Sequence, residues 1–224
     1  MSRNPEGRGW FFRDRVCRIP TWRTWLLVLV CLVLLGVQFL SSIHPFLALS
    51  DPVRGDILVV EGWLPDDAMA QALSEFRRGG YRLMVTTGEP LIRGSVLSEY
   101  GTYAELGAAI LHGMGADQDS LFAVPSPPAR VNRTYASAVA LAHWFRVTGR
   151  NPAAVDVVSL GAHARRSRDL FQLALGETRV GIIAAGDRSY DPERWWQTSR
   201  GVQSVMEETV GYLYSFVRSP EEEG

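Results

Sequence analysis

Residues 154–168 read AVDVVSLGAHARRSR. Positions 155–159 form a short apolar run, the pattern of a strand buried on both faces. The chain then turns through Leu160, Gly161 and Ala162 and opens a helix, expected over 163–175, that carries His163, Arg165, Arg166 and Arg168. A buried strand running straight into a helix is half of a βαβ unit, so this stretch points to a parallel sheet. Its helix start is electrostatically unusual. The first turn of a helix carries partial positive charge, which favours acids there and disfavours cations. Three arginines and a histidine at that end call for an offset, either an anionic ligand or a carboxylate from elsewhere in the fold. The alternative is that the guanidinium groups point into water or pair with Asp169 and Glu177.

The same alternation extends in both directions. Strands are expected at 56–61, 82–87, 121–124, 155–159 and 179–184. Helices are expected at 65–78, where Gly79 and Gly80 stop the run, at 95–113, at 132–147, at 163–175 and from about 192 to 216. Five strands separated by helices define an α/β fold: a three-layer, doubly wound, mostly parallel five-stranded sheet of Rossmann-like type. No repeat of 20–50 residues interrupts it.

The chain of 224 residues is 46% hydrophobic and 21% charged, as expected of a globular domain with extra segments. Its net charge of −1 conceals an asymmetry. Residues 1–23 hold six arginines against Glu6 and Asp14, leaving 17 basic and 22 acidic residues downstream. A mildly acidic body argues against nucleic acid as a partner. There is no lysine, which excludes a Schiff-base lysine and a phosphate-loop lysine. The two cysteines, Cys17 and Cys31, both precede the α/β region, so that region has neither a disulfide nor a cysteine-ligated metal.

Residues 24–43, TWLLVLVCLVLLGVQFLSSI, contain no charge. About 20 such residues suffice to span a bilayer as a helix. The basic, tryptophan-containing segment before them suits a cytoplasmic membrane surface, which would put the body on the extracytoplasmic side. A cleaved signal peptide, with Ala48, Leu49 and Ser50 as the small-residue site, is the competing reading; the long basic region favours an uncleaved single-pass anchor. The expected organisation is a basic cytoplasmic tail (1–23), a transmembrane helix (24–43), a linker (44–55), the α/β domain (56–217) and an acidic tail (218–224).

In open parallel sheets, ligands bind beyond the carboxyl ends of the strands where strand order reverses. With order 3-2-1-4-5, that crevice is flanked by Glu61, Gly62 and Trp63 after the first strand and by residues 159–166 after the fourth. Thr87 and Gly88, Arg133 and Thr134 with Ser137 one turn on, and Glu208 reach the same edge. Arg133, Arg165 and Arg166 are candidate anion ligands. His163 is a candidate general acid/base with Glu61 as its partner carboxylate. Asn132 is a candidate helix cap, and Trp195 and Trp196 read as packing. His112 and His143 read as structural and His44 as interfacial. Glu61, His163 and Glu208 are the only candidate metal set, and a single histidine makes a weak one; no metal is assigned. The sequence lacks G-x-S-x-G, H-E-x-x-H, the Walker loop and a G-x-G-x-x-G after the first strand, so no cofactor is implied.

Taken together, these residues resemble the SanA/YdcF/ElyC-like family of bacterial envelope proteins over about residues 54–216. The likeness rests on the strand at 56–60 and its loop, Thr87 with Gly88, Arg133 with Thr134, Ser137 with Ala138, the pattern S-x-x-x-H-x-R-R-S from Ser159 to Ser167, and Glu208 with Gly211 and Tyr214. An N-terminal anchor before the domain is also family-like. The resemblance implies a doubly wound domain and a role in the envelope barrier or in peptidoglycan-related cell-wall biogenesis, without naming a reaction. Many members carry a glycine-rich turn after the first strand. Here that turn is Glu61, Gly62, Trp63, Leu64 and Pro65, which shifts weight from a backbone phosphate cradle to Glu61. The expected ligand is an anionic envelope metabolite, phosphorylated or lipid-linked, either hydrolysed, transferred or simply held by a non-catalytic binding module.

Overall fold

The computed structural model describes residues 21–92 and 98–215. The expected basic tail up to residue 20, the acidic tail and the proposed helix start at Ser95 lie outside these. The sheet has five parallel strands in the order β3-β2-β1-β4-β5. In chain order the strands are β1 (Ile57–Glu61), β2 (Leu83–Gly88), β3 (Leu121–Pro125), β4 (Ala154–Leu160) and β5 (Arg179–Ala185). The helices that follow them are α2 (Asp66–Gly79), α3 (Tyr103–Gly113), α4 (Arg133–Val147), α5 (Ala164–Leu175) and α6 (Ser199–Ser215). The strand order is the one on which the location of the crevice depended.

Both faces of the sheet are covered, which explains why β1 is apolar from Ile57 to Val60 and β4 is apolar apart from Asp156 and Ser159. Val59, Val85, Val155 and Val157 pack with Leu141 and Phe145 of α4 and Phe171 of α5. Their neighbours Leu58, Val60, Met84 and Val158 point the other way, onto Met69 and Leu73 of α2 and Leu111 of α3. The period-2 alternation of side chains thus builds two cores from one sheet.

Two boundaries differ from expectation for local reasons. α3 begins at Tyr103, because Thr102 and Glu105 form a reciprocal capping box that fixes the first turn. The last helical stretch is broken: a 3-10 segment, Pro192–Gln197, precedes α6, and Trp195 in it is buried.

The N-terminal helix α1 (Trp22–Leu47) is long and apolar enough to cross a membrane, with a mean hydropathy of 2.6 in its most apolar window and none of that window buried. The chain divides after Phe39. Residues 40–47 belong with the α/β unit, where Trp195 donates its indole N–H to the Leu40 carbonyl (3.0 Å) and Leu47 is buried. His44, expected at a membrane interface, is instead buried, with Nε2 3.0 Å from the Tyr190 hydroxyl. The stretch expected as a linker is tied down as well. Asp51 bridges to Ile182, and the Val53 and Gly55 N–H groups donate to Asp156, a carboxylate fully buried in β4.

Candidate functional site

The chain leaves β1 toward β2 on one side and leaves β4 toward β5 on the other, so the loops after β1 and β4 diverge and open a crevice at the carboxyl edge. A cavity of about 540 Å³ occupies it. Glu61, Trp63, Thr87, Gly88, Arg133, Thr134, Ser137, His163, Arg166 and Glu208 all line this space. One edge of the sheet therefore gathers most of the residues that sequence reasoning assembled from five separate segments.

His163 sits at the centre, on a 3-10 turn (Gly161–His163) that links β4 to α5. Gly161 makes this turn with a positive φ of 44°. The histidine Nδ1 lies 2.8 Å from Glu208 Oε1. Arg166 Nη2, which only donates, lies 3.1 Å from the same nitrogen, but it also donates to Glu208 Oε1; the carboxylate only accepts and makes the shorter contact, which assigns the proton to Nδ1 and leaves Nε2 facing the other way. There it meets the Thr134 hydroxyl at 3.3 Å and Glu61 Oε1 at 3.8 Å. The Trp63 ring stands nearly perpendicular to the imidazole, with centroids 5.4 Å apart.

The near carboxylate of His163 is thus Glu208, not Glu61 as expected from sequence. Glu208 also takes Arg166 in a two-pronged contact, Nε to Oε2 at 2.8 Å and Nη2 to Oε1 at 3.2 Å. Burial pushes the Glu208 carboxyl up. The hydrogen bonds from His163 and Arg166 and their positive charge outweigh that effect and bring its pKa down to about 2. Glu61 is held from below by a serine relay: Ser159 donates to Ser167 (3.1 Å), and Ser167 donates to Glu61 (3.2 Å to each oxygen).

The opposite wall is the start of α4. Asn132 enters it in the left-handed region (φ 54°), a conformation that asparagine tolerates better than most residues. Arg133 reaches Glu89 at 3.0 Å and remains half exposed. Ser137, one turn on, contacts Ser126 at 3.2 Å. In β2, adjacent threonines differ. Thr86 donates to the Ala104 carbonyl (2.7 Å), whereas the Thr87 hydroxyl is fully buried and has no hydrogen-bond partner. A buried hydroxyl left without a partner costs about 1–3 kcal/mol, and this one lies just behind the cavity wall.

Three expected ligand residues do not line the cavity. Arg165 turns away to residue 46: its guanidinium lies 4.0 Å from the centroid of the Phe46 ring and its Nε donates to the Phe46 carbonyl. Ser159 is fully buried beneath the site and acts through Ser167. Gly62 is a packing residue, since a Cβ there would strike the Tyr103 backbone carbonyl at the start of α3. Arg168 likewise lies off the site, 3.5 Å from the Val180 carbonyl. His112 and His143 contact their own helix ends, Ala116 and Arg146.

Sequence reasoning missed Arg130 and Arg200. Both line the cavity, and neither has a carboxylate partner among the described residues. No motif flagged them, because each follows a loop of its own rather than a patterned strand end. The lining as a whole is close to neutral, with four arginines (130, 133, 166 and 200) against Glu61, Glu89, Asp187, Glu207 and Glu208. An anion is therefore read locally rather than by a broad positive field. Among the described residues, no group of three histidine, cysteine, aspartate or glutamate side chains is arranged to hold a metal ion. No protein-family model matches the chain, and no curated protein matches it.

Proposed function

We propose that this chain is a single-pass, membrane-anchored protein of the bacterial cell envelope, akin to the SanA/YdcF/ElyC-like family, whose α/β domain binds an anionic metabolite and acts on it by acid–base chemistry. The ligand class is a phosphorylated or lipid-linked sugar species. The N-terminus is cytoplasmic and the domain extracytoplasmic, in keeping with the six arginines in residues 1–23. The observation that carries the catalytic part is the His163 arrangement. Its Nδ1 is held by a low-pKa carboxylate while Nε2 looks into a cavity of metabolite size. Arg130, Arg200 and the start of α4 support the anionic ligand.

A second reading, a non-catalytic anion-binding or scaffold module, draws on the fact that Arg166 and Arg133 already hold carboxylates. One experiment separates the two. The full chain in detergent micelles is titrated with a polyprenyl phosphate, a uridine diphosphate sugar and inorganic phosphate, and product formation is followed. Turnover that His163→Ala abolishes while binding persists supports catalysis. Binding without turnover, unaffected by His163→Ala but lost in Arg200→Ala, supports the module. Absence of binding to all three ligands overturns the anionic assignment.

A further inference from the structure

We infer that Thr134 is the nucleophile of a phosphoryl-transfer reaction, with His163 as its base and Glu208 as the carboxylate that orients the histidine; this rests on the acid–base reading of the site. The geometry is a continuous chain. The Thr134 hydroxyl is 3.3 Å from His163 Nε2, and His163 Nδ1 is 2.8 Å from Glu208 Oε1. With the proton on Nδ1, Nε2 is the only ring atom able to accept the hydroxyl proton. A hydroxyl, an imidazole and a carboxylate in that order are what an activated oxygen nucleophile requires, and such contacts tighten only when substrate is bound.

Three features set this arrangement apart from a helix-capping contact. Thr134 and His163 both line the same cavity, so a substrate atom can reach the hydroxyl. Thr134 lies in the first turn of a 15-residue helix, where the backbone N–H groups of Arg133 and Thr134 have no acceptor within the helix and can receive developing negative charge. Glu61 Oε1, 3.8 Å from Nε2, is placed to stabilise the imidazolium that forms when the proton arrives. A cavity furnished with arginines, a helix start and hydroxyls suits a phosphate ester or anhydride better than a neutral acyl ester.

The step balances without a cofactor. Thr134 Oγ1 bonds to phosphorus as the bond to the leaving oxygen breaks. The hydroxyl proton passes to His163 Nε2, and the leaving oxygen, opposite Thr134 in the in-line displacement, takes its proton from solvent. Water then attacks the phosphothreonine from the vacated side and releases a proton to solvent, while Nε2 returns its proton to the departing Thr134 oxygen. The net reaction is hydrolysis to phosphate and an alcohol or shorter phosphate.

The test uses the full chain in detergent micelles with p-nitrophenyl phosphate and farnesyl pyrophosphate as probes, acid quenching, and peptide mass spectrometry. The wild type is expected to carry phosphate on Thr134. Thr134→Val should lose the adduct and slow turnover by roughly 10²-fold or more, and Thr134→Ser should keep both, within about tenfold. Thermal unfolding of each variant checks that the fold is retained. If Thr134→Val hydrolyses at the wild-type rate while His163→Ala is inactive, water attacks directly; the nucleophile assignment then fails and the acid–base reading stands. If the wild type yields neither product nor adduct from either probe, both fail. An adduct formed only from p-nitrophenyl acetate overturns the phosphoryl class.

Discussion

Two helix starts face each other across the cavity, and they solve the same electrostatic problem differently. The turn leading into α5 brings His163, Arg165 and Arg166 to a dipole end that repels them. The protein offsets this from within: Glu208 takes Arg166 and His163, Glu61 stands near, and Arg165 leaves for Phe46. The start of α4 is left open. Arg133 has only the rim contact with Glu89, and Thr134 looks into the cavity. Cations crowded at a helix start thus indicate a nearby carboxylate, and the start left open is the less heavily charged one.

The largest test of this contrast removes the internal carboxylates in turn. Glu208→Ala strands Arg166 and His163 in a mostly buried setting and should cost about 3–5 kcal/mol in denaturant unfolding. Glu89→Ala should cost less, about 1 kcal/mol, because Glu89 is as buried as Glu208 but the Arg133 it releases is 57% exposed and is left in water rather than stranded. Equal losses would erase the distinction between a closed and an open start.

Acid sharpens the same point. The folded protein holds Glu208 at about 2, whereas an unperturbed glutamate titrates at 4.5. Between those values the unfolded chain binds the extra proton, so stability is complete above about pH 5 and falls as pH drops toward 2. The full effect is on the order of 3 kcal/mol. Unfolding midpoints measured from pH 6 to 2 should show this slope in the wild type and a flatter one in Glu208→Gln.

Arg165→Ala is a smaller change that tests the correction made to its role. Loss of its stacking on Phe46 should cost about 1 kcal/mol and leave phosphate binding unchanged. A drop in binding as large as that of Arg200→Ala would return Arg165 to the site.

The sheet was legible because buried parallel strands and their stop signals are written locally: Val59 and Val157 in mostly apolar runs, Gly80 at a helix end. The convergence of Glu61, Thr87, Thr134 and His163 was legible too, because the switch-point rule needs only strand order. Which carboxylate pairs with which cation was not. Glu208 and Glu61 are 147 positions apart, and only the packing of α6 beside α5 decides that the former is the nearer to His163. Likewise nothing local tells Arg165 from Arg166. One residue rotates a guanidinium by about 100° around the helix, from the cavity to residue 46.

The smallest expected change is also the most specific to the open side. Thr87→Val swaps the unpartnered hydroxyl for a methyl group of similar size. Because the fold gives that oxygen nothing, its removal should leave stability unchanged or raise it by up to about 1 kcal/mol. Thr86→Val, one residue earlier, should lower stability by about 0.5–1.5 kcal/mol because it removes a buried hydrogen bond to the Ala104 carbonyl, which keeps only its own helix donor. The two neighbours therefore separate a hydroxyl used by the fold from one kept for the cavity. If Thr87→Val also weakens anion binding while Thr86→Val does not, the hydroxyl serves a ligand. If Thr87→Val destabilises as much as Thr86→Val, its oxygen has a partner inside the fold, and the open side of the comparison loses its floor.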